Sequence, residues 1–599
     1  MEKAELVPPK PVVAQIDTSS NVANVGRIRP SRVNPYSVAN ITASLIQLGR
    51  KVAFNDSGLY YYYEFDPNLV TGEILQQLEK DTLCQIMDFP FADVNVYDDT
   101  FSANFQNNVD NMKNGKLYIV FNYNSHLNLF FQNFGASFGA VKKDELYLPN
   151  ADDETLILQA LITAGIANYP DTATMKRFRP CLLKQPRGKV TYLDQARNIN
   201  VPVPQIQVFA FFFGIPIITY TNDRGDYYTP WRFSMGTIIG THARNWRANI
   251  KPLDVTGGVL AAIVQIRLNF IIGSRHLYGW YSACDMRNNI NISFSGHNQR
   301  RYWAQLLHAT KLHHDYAVQD GILPAPPLLT IYAKWSAGGD GTASAPMLGH
   351  VNGSGYAAAI LSIILDVNIT INAPNLLNLL TGLLPDMTFS ENSTQNPRYS
   401  ETLMQTAFHE FGHASYYRKV GDIYWIKVIG GIVDALLGSC STYGCASSSV
   451  AGNIALSEAW AEYIGKQHHR RIHPNQQTYI GDSNALIPPP IDDGYNGTIN
   501  AALLQWRSYP DALEYDRVFV GNYWIPTGLF YDLTDNFNSN EPNDVIQGFT
   551  TAQMYNLFSP NVESFCDYGA RFLTTYTNIA VSDYQNVDNV INLNFVYCP

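Results

Sequence analysis

Two segments carry ionisable side chains among apolar residues, and their placement constrains how the chain can fold. The first, TAFHEFGHASYY at residues 406–417, contains two histidines four residues apart, His409 and His413. The second, NIALSEAWAEYIG at residues 453–465, contains Glu458, 45 residues after His413. Side chains four apart lie on one face of a helix, within about 6 Å of each other. The spacing therefore predicts two helices joined by a loop, with their polar side chains brought together.

The residue types at these positions are those that bind zinc in enzymes. A catalytic zinc site uses three protein ligands, drawn from His, Cys, Asp and Glu, and leaves a fourth position for water. The sequence predicts His409, His413 and Glu458 as the ligands. Glu410 directly follows the first histidine and is expected to lie beside the metal, where its carboxylate can take a proton from water.

A further carboxylate, Glu462, stands one helical turn after Glu458. We expect it to accept a hydrogen bond from the far ring nitrogen of a ligating histidine. Two carboxylates one turn apart are costly to bury without a metal or a cationic partner. The alternative is that one or both simply face solvent. The five-residue histidine motif alone arises by chance in roughly one such chain per hundred, so the second segment is what makes the site specific.

The first segment is expected to be a helix that begins near Ser400 and Glu401. Its apolar residues are Leu403, Met404, Ala407, Phe408 and Phe411. Gly412 weakens a helix by up to about 1 kcal/mol relative to Ala. The glycine therefore predicts a place where another part of the chain packs closely.

Together, HEFGH and SEAWAEY resemble the gluzincin metallopeptidases, the thermolysin-like clan in which HExxH and a later Glu-containing helix complete a zinc site. The resemblance covers about residues 300–540. It implies zinc ligation by His409, His413 and Glu458, general-base catalysis by Glu410, and a supporting role for Glu462. The family often has Asp at this last position and Asn-Glu where this chain has Ser457-Glu458. The longer HExxHxxGxxH pattern is absent from the sequence, which excludes the metzincin variant.

The same resemblance implies two further parts of an active site. The segment GTASAPMLGHVNG at residues 341–353 stands where the clan places an edge strand that pairs with the substrate backbone. An oxyanion stabiliser, commonly Tyr, His or Arg in this clan, is also required. Tyr443 in CSTYGC and Tyr531 in IPTGLFYDLTD are the candidates, although spacing does not choose between them and each can instead be structural.

The whole chain is predicted to be a multidomain α+β protein, because 599 residues are too many for one ordinary core. GLYYYYEFDP, CQIMDFPF and KLYIVFNY are predicted strands, with a helix between the first two. We expect an N-terminal tether at 1–49, a small α/β domain at 50–183, a β-sandwich at 184–256, and a mostly helical zincin-type metallopeptidase domain with one sheet at 257–599.

The predicted sandwich also carries a resemblance. Its segments GKVTYLD, VPVPQIQVFAFFFG and PIITYTNDRGDYYTPW are similar to the carboxypeptidase regulatory-like domains of many secreted bacterial proteins. The alternative is an unrelated β-sandwich. The N-terminal twenty residues lack an apolar leader core and are therefore not a signal peptide. Their tether-like composition is compatible with a mature secreted or cell-envelope protein or a lipoprotein, whose leader is expected to have been removed.

Composition excludes several other classes. A net charge of −10 argues against nucleic acid as a partner, and 46% hydrophobic residues argue against extensive disorder. The best membrane-span candidate, residues 257–273, carries Arg267 at its middle, so no span is predicted. The seven cysteines form no CxxC pair, which disfavours a structural Cys-type zinc site, although Cys440 and Cys445 could close a short disulfide loop.

The expected function is zinc-dependent hydrolysis of peptide bonds in a peptide or protein substrate, most simply as an endopeptidase. Two alternatives stay open on the sequence alone. One is a cell-surface binding or scaffold protein with a catalytically silent peptidase-like domain, and the other is a zinc hydrolase of a non-peptide substrate such as an ester. The sequence predicts no oligomeric state.

Overall fold

The structure is a computed structural model with mixed α/β architecture. It describes residues 33–93, 105–150, 152–166, 184–233, 236–253, 268–282, 285–336, 341–351, 384–393, 400–437, 449–473, 478–480, 485–487, 530, 533–534 and 548–576. Contacts divide the chain into two compact units. The first consists of Met1–Tyr192, Val201–Ala243 and Arg267–Phe294, and the second of Leu193–Asn200, Arg244–Ile266 and Ser295–Pro599. The chain therefore passes between the units several times.

The first unit begins with a four-stranded antiparallel sheet. Its strands are β1 (Leu59–Phe65), β2 (Gln85–Met87), β3 (Leu117–Asn122) and β4 (Val141–Tyr147), in the order β2-β3-β1-β4. The accompanying helices are α1 (Val38–Gln47), α2 (Gly72–Lys80), α3 (Phe105–Met112), α4 (His126–Phe134) and α5 (Glu154–Thr163). Helix α2 joins β1 to β2 and α4 joins β3 to β4, which is a split βαβ arrangement. The predicted α/β character of this region is confirmed.

Aromatic side chains hold this sheet together. Tyr63 of β1 stacks on Phe121 of β3 at 5.7 Å between ring centroids, and Phe131 of α4 packs against Tyr63 at 4.7 Å. Cross-strand aromatic pairs of this kind each stabilise a sheet by roughly 0.2–1 kcal/mol. The run of tyrosines in β1 therefore forms a strand because both faces of that strand have packing partners.

Helix α1 lies in the segment that the sequence predicts to be a tether. The Ser37 hydroxyl caps its first turn, and the buried amide of Asn40 donates to the carbonyl of Ala160 at 2.9 Å. Ser44 is also buried and bonds Thr163 at 3.1 Å. The last part of residues 1–49 is therefore a packed helix, because its polar side chains find partners on α5.

Two further sheets follow in the predicted sandwich region. Their strands are β5 (Arg187–Asp194), β6 (Ile199–Pro202), β7 (Gln207–Phe212), β8 (Ile215–Tyr220), β9 (Asp226–Tyr228), β10 (Thr237–His242), β12 (Arg275–Tyr281) and β13 (Ile292–Phe294), with β11 (Ala248–Leu253) between β10 and β12 in the chain. One sheet has the order β12-β10-β7-β8, and the other has the order β13-β5-β6 with β9 beside β5. The β-rich region predicted from the alternating strands and turns is thus present.

The strand pairings do not follow the predicted boundary at residue 256. Strand β11 lies before that boundary but belongs to the second unit, whereas β12 and β13 lie after it and join the sheets of the first. Strand pairing is decided by partners far along the chain, which local patterns do not reveal. The four-part division of the chain stays a prediction, and the contacts give two units.

A buried network of amides joins the β2-β3-β1-β4 sheet to the β12-β10-β7-β8 sheet within the first unit. The Gln85 amide on β2 donates to the side-chain oxygen of Gln207 on β7 at 3.0 Å, and neither residue is exposed to solvent. Gln207 in turn donates to Tyr220, and the guanidinium of Arg275 donates to Gln85 at 2.8 Å. His242 contacts the same Gln207 oxygen at 3.2 Å. The two parts that the sequence treats as separate domains therefore share one polar core.

The shared amide network generates a stability prediction. Gln207→Leu should lower the free energy of unfolding by about 1–3 kcal/mol, because the buried donor of Gln85 loses its acceptor. Urea denaturation measures the loss, with Gln132→Leu on exposed helix α4 as the matched control. The double change Gln85→Leu with Gln207→Leu should cost less than the sum of the single changes. Additive losses would show that the two amides do not act as a pair.

The second unit contains a mixed sheet and a set of packed helices. The sheet has the order β11-β14-β16-β15 and adds β14 (Leu329–Ser336), β15 (Ala343–Ser344) and β16 (Met387–Asn392). The helices are α6 (Gln299–Gln319), α7 (Ser400–Val420), α8 (Asp422–Leu437), α9 (Ala451–Ile472), α10 (Thr551–Asn556) and α11 (Phe565–Thr575). A two-stranded sheet of β17 (Thr478–Ile480) and β18 (Ala485–Ile487) is also present, which the prediction of one sheet omits.

The mixed sheet places its short strand at the edge. Strands β11, β14 and β16 are parallel, and β15 pairs antiparallel with β16, so that Ala343 faces Phe389 and Ser344 faces Thr388. Helix α7 contacts both β15 and α6. The predicted edge strand in residues 341–353 is confirmed in position. In the described part of the chain, no helix combines the length and apolarity that crossing a membrane requires.

Candidate metal centre

Helices α7 and α9 approach each other closely at two glycines. A Cβ atom on Gly412 would lie 2.8 Å from the Cα of Ala461, and one on Gly465 would lie 3.1 Å from the Cα of His409. Distances below about 3 Å are not tolerated in packed interiors. The prediction that Gly412 marks close packing is confirmed, since the helix backbones meet where any larger residue would force them apart.

This approach brings the three predicted ligands together. The Nε2 atoms of His409 and His413 are 3.2 Å apart, and each lies 3.3 Å from Oε2 of Glu458. The side chains are 19%, 9% and 11% exposed, respectively. Two nitrogens and one oxygen therefore form a nearly equilateral triangle at a partly accessible position.

The triangle fits a tetrahedral ion. Zinc bonds to His and to carboxylate oxygens are about 2.0–2.1 Å long, and a tetrahedron with such bonds has edges of about 3.3 Å. The three observed separations match that edge length. These residues could hold a divalent ion such as Zn²⁺ and leave one position open. Among the described residues, this is the group of three that could bind a metal.

The ring of His409 is oriented by Glu462. Nδ1 of His409 lies 3.2 Å from Oε2 of Glu462, and a carboxylate at that position accepts a hydrogen bond from the N–H group of the ring. The Nε2 atom of the neutral ring then carries the lone pair, which points into the triangle. The predicted contact between Glu462 and a ligating histidine is thus present.

The ring of His413 is oriented by a residue whose role the sequence analysis missed. The hydroxyl of Ser457 lies 2.8 Å from Nδ1 of His413, and both side chains are buried. Trp425 of α8 packs against the same ring at 6.2 Å between centroids, and its indole donates to the carbonyl of Pro346 beyond β15. The Ser457-Glu458 pair, noted as a departure from the usual Asn-Glu, therefore supplies one ring contact and one corner of the triangle.

Glu410 lies beside the triangle without belonging to it. Its side chain is buried, at 5% exposure, and its charge contributes to raising the pKa of His409. An acidic group held close to a metal position, but outside the set of ligands, can serve as a proton acceptor. The structure thus brings Glu410 to the neighbourhood in which the sequence predicts it.

Charges within the centre shift its pKa values strongly. Burial alone would lower the pKa of His409, but hydrogen bonds to Glu458 and Glu462 raise it well above the usual range. Burial likewise opposes ionisation of the two carboxylates, yet the neighbouring histidine rings, together with Lys466 for Glu462, outweigh it and lower the pKa of both Glu458 and Glu462 to about 2. In the metal-free protein, a protonated His409 therefore balances part of the negative charge.

Two predicted site residues are not among those that the structure describes. Tyr443 and Tyr531 are outside the described residues, so both stay predictions as oxyanion stabilisers.

The prediction from the sequence also omits Lys466, which forms an ion pair with Glu462. The spacing of four residues between an acid and a base on one helix is the signal that could have identified it.

The close helix contact generates a prediction about packing and binding together. Gly412→Ala should destabilise the protein by about 1–3 kcal/mol, because the added methyl group meets the backbone of Ala461. Separating the helices should also weaken zinc binding, since Glu458 moves away from the two histidines. Thermal unfolding and zinc titration measure the two effects. A variant with unchanged zinc affinity would show that the ligand triangle does not depend on this contact.

The charge state of His409 generates a prediction about pH. An imidazole must lose its proton to bind a metal, and the pKa of His409 lies above its ordinary value of about 6.5. Zinc affinity should therefore rise with pH above pH 6, by about tenfold per unit while this single proton is displaced. Competition with a chelator at pH 6, 7 and 8 measures the slope. A flat profile over this range would contradict the raised pKa.

Comparison of the chain with known protein families, with curated proteins and with solved structures found no match. The resemblance to gluzincins therefore stays a prediction from two motifs. What the structure adds is the meeting of His409, His413 and Glu458 on two packed helices.

Proposed function

We propose that the chain is a zinc-dependent peptidase, acting as an endopeptidase on peptide or protein substrates. The observation that carries the proposal is the triangle of two imidazole nitrogens and one carboxylate oxygen, whose edges of 3.2–3.3 Å fit tetrahedral zinc. The buried Glu410 beside the triangle adds a general base to the ligand set. Three ligands and an adjoining carboxylate are the parts that hydrolysis by activated water requires.

Each residue has a chemical task in this proposal. His409, His413 and Glu458 hold Zn²⁺, which when bound polarises a carbonyl and lowers the pKa of water to about 7. Glu410 takes the proton from the attacking water and passes it to the nitrogen of the departing amine. Glu462 keeps the proton of His409 on Nδ1, so that Nε2 stays free to bind the metal.

The edge strand β15 supplies a place for the substrate backbone. Ser344 of β15 lies opposite Thr388 of β16, and the two hydroxyls are 2.8 Å apart. In the described residues, β15 ends the sheet, and it contacts the ligand helix α7. A peptide that adds to this edge as a further strand would run beside the metal centre, with main-chain hydrogen bonds supplying sequence-independent affinity.

The proposal has three further parts, which concern the oxyanion stabilisers, the location and the partners. Tyr443 and Tyr531 are the proposed oxyanion stabilisers, on the strength of the resemblance alone. A secreted or cell-envelope location, in a bacterium, agrees with the disulfide-bonded state of Cys566, because disulfides persist mainly in oxidising compartments. Binding to nucleic acid is not proposed, given the net charge of −10.

A catalytically silent surface-binding protein is the second candidate, and hydrolysis of an ester is a third. A peptidase-like protein that has lost its activity is expected to have lost at least one of the residues that catalysis requires. Here, however, all three ligands and Glu410 are retained, and the rings of both histidines have oriented hydrogen-bond partners. The ester alternative differs only in substrate, so it is distinguished by comparing turnover of matched peptide and ester compounds.

The decisive experiment removes the proton acceptor and keeps the metal. Glu410→Gln should lower the rate of peptide hydrolysis by about 10²–10⁴-fold, because general-base catalysis contributes that much, while zinc content stays near one ion per chain. Elemental analysis and a broad peptide library measure the two quantities. Glu563→Gln, which alters an exposed ion pair with Lys427, is the matched control.

Two results would overturn the assignment. Purified protein without near-stoichiometric zinc would remove the metal centre. Unchanged hydrolysis in Glu410→Gln would remove the proposed general base. Zinc binding without hydrolysis of any peptide in the library would instead support the surface-binding candidate.

A further inference from the structure

The carboxylate of Glu462 is held from two sides. Its Oε2 atom faces Nδ1 of His409 at 3.2 Å, and its Oε1 atom forms an ion pair with the ammonium group of Lys466. Lys466 stands four residues after Glu462 on helix α9, which is the spacing that places an acid and a base on one helical face. One carboxylate therefore connects a predicted zinc ligand to a lysine.

The lysine is an unusual residue for this position. Its side chain has no exposure to solvent, and lysines are almost never fully buried unless they are paired. Glu462 is itself only 14% exposed. Removing one member of a buried pair leaves the other charge uncompensated, which is much more destabilising than the pair is stabilising. Each of the two charges therefore requires the other in order to stay where it is.

The geometry of a glutamate explains what the lysine adds. The last torsion of a glutamate side chain has a broad energy minimum, so a carboxylate anchored through one oxygen can still turn. An ammonium group on Oε1 fixes the plane of the group, and the other oxygen is then directed at the imidazole. Such indirect contacts orient metal ligands and commonly affect metal affinity 10- to 100-fold.

The charges around Glu462 support the same role for Lys466. Glu458 and Glu462 are one helical turn apart, and like charges at this spacing repel each other. The cation at Lys466 pairs with the Oε1 atom of Glu462 and so offsets one of these two negative charges. The Oε2 atom of Glu462 then stays directed at Nδ1 of His409.

We propose that Lys466 is a positioning residue of the metal centre, which acts through Glu462 to hold the ring of His409 in its metal-binding orientation. This inference rests on the proposed zinc site but goes beyond it. It assigns a function to a residue outside the three triangle residues and outside the HEFGH motif. A purely structural lysine would affect folding and leave metal affinity unchanged.

The test is a double-mutant cycle read out as zinc affinity. Zinc dissociation constants are measured by competition with a chromophoric chelator at one pH for the wild-type chain, Lys466→Met, Glu462→Gln and the double variant. Lys466→Met should weaken zinc binding about 10- to 100-fold. In the Glu462→Gln background, the same change should have no further effect, because its route to His409 is already gone. Lys427→Met, in an exposed ion pair, is the matched control and should bind zinc as the wild type does.

The outcomes separate the inference from the proposed function. If the wild type binds zinc and Lys466→Met binds it equally well, the positioning role is overturned while the zinc site stands. A further loss in the double variant relative to Glu462→Gln also overturns it. If either single variant fails to fold, the double variant is compared with the wild type instead, because it contains neither buried charge: zinc binding about 10- to 100-fold weaker supports the inference, and equal binding overturns it. A wild-type chain that binds no zinc overturns the zinc site and this inference together.

Discussion

The close contact between helices α7 and α9 is the constraint on which the candidate centre depends. The nitrogen and oxygen atoms that approach to 3.3 Å come from both helices, so their positions depend on how the two backbones pack. Gly412 and Gly465 permit that approach, and Ala461 lies opposite the first of them. Both glycines weaken the helices in which they lie. The chain thus gives up intrinsic helix stability where the positions of the ligands require it.

The contact also concentrates charge in the interior. Acidic groups at Glu410, Glu458 and Glu462 stand on the two packed helices with little exposure to solvent, an arrangement that requires nearby positive charge. The sequence predicts a metal or a cationic partner for the two carboxylates of α9. Glu462 has a cationic partner in Lys466, and Glu458 lies with the two histidines in the triangle that could hold a metal.

Local patterns were enough to predict much of the second unit's centre but little of the chain's division. Helical spacing, which depends on residues only three or four apart, predicts that His409 and His413 share one face and that Glu458 and Glu462 share another. The meeting of the two helices was predicted from the residue types of the two segments. The contacts of Ser457 and Lys466 were missed because their side chains have many alternative roles on a helix. Strands β11 and β14 pair although they lie about eighty positions apart in the sequence. The residues of each strand do not indicate which other strand it pairs with.

The pairing of β11 with β14 also bears on how such a chain can be divided or inherited. Residues 248–253 complete the parallel part of the second unit's sheet, yet the chain afterwards contributes β12 and β13 to the first unit. A gene fragment that begins after residue 294 would encode the helices of the metal centre but leave one edge of β14 bare, and bare edges invite aggregation. The two units are therefore expected to be acquired or lost together, and recombination at a single breakpoint cannot exchange one of them.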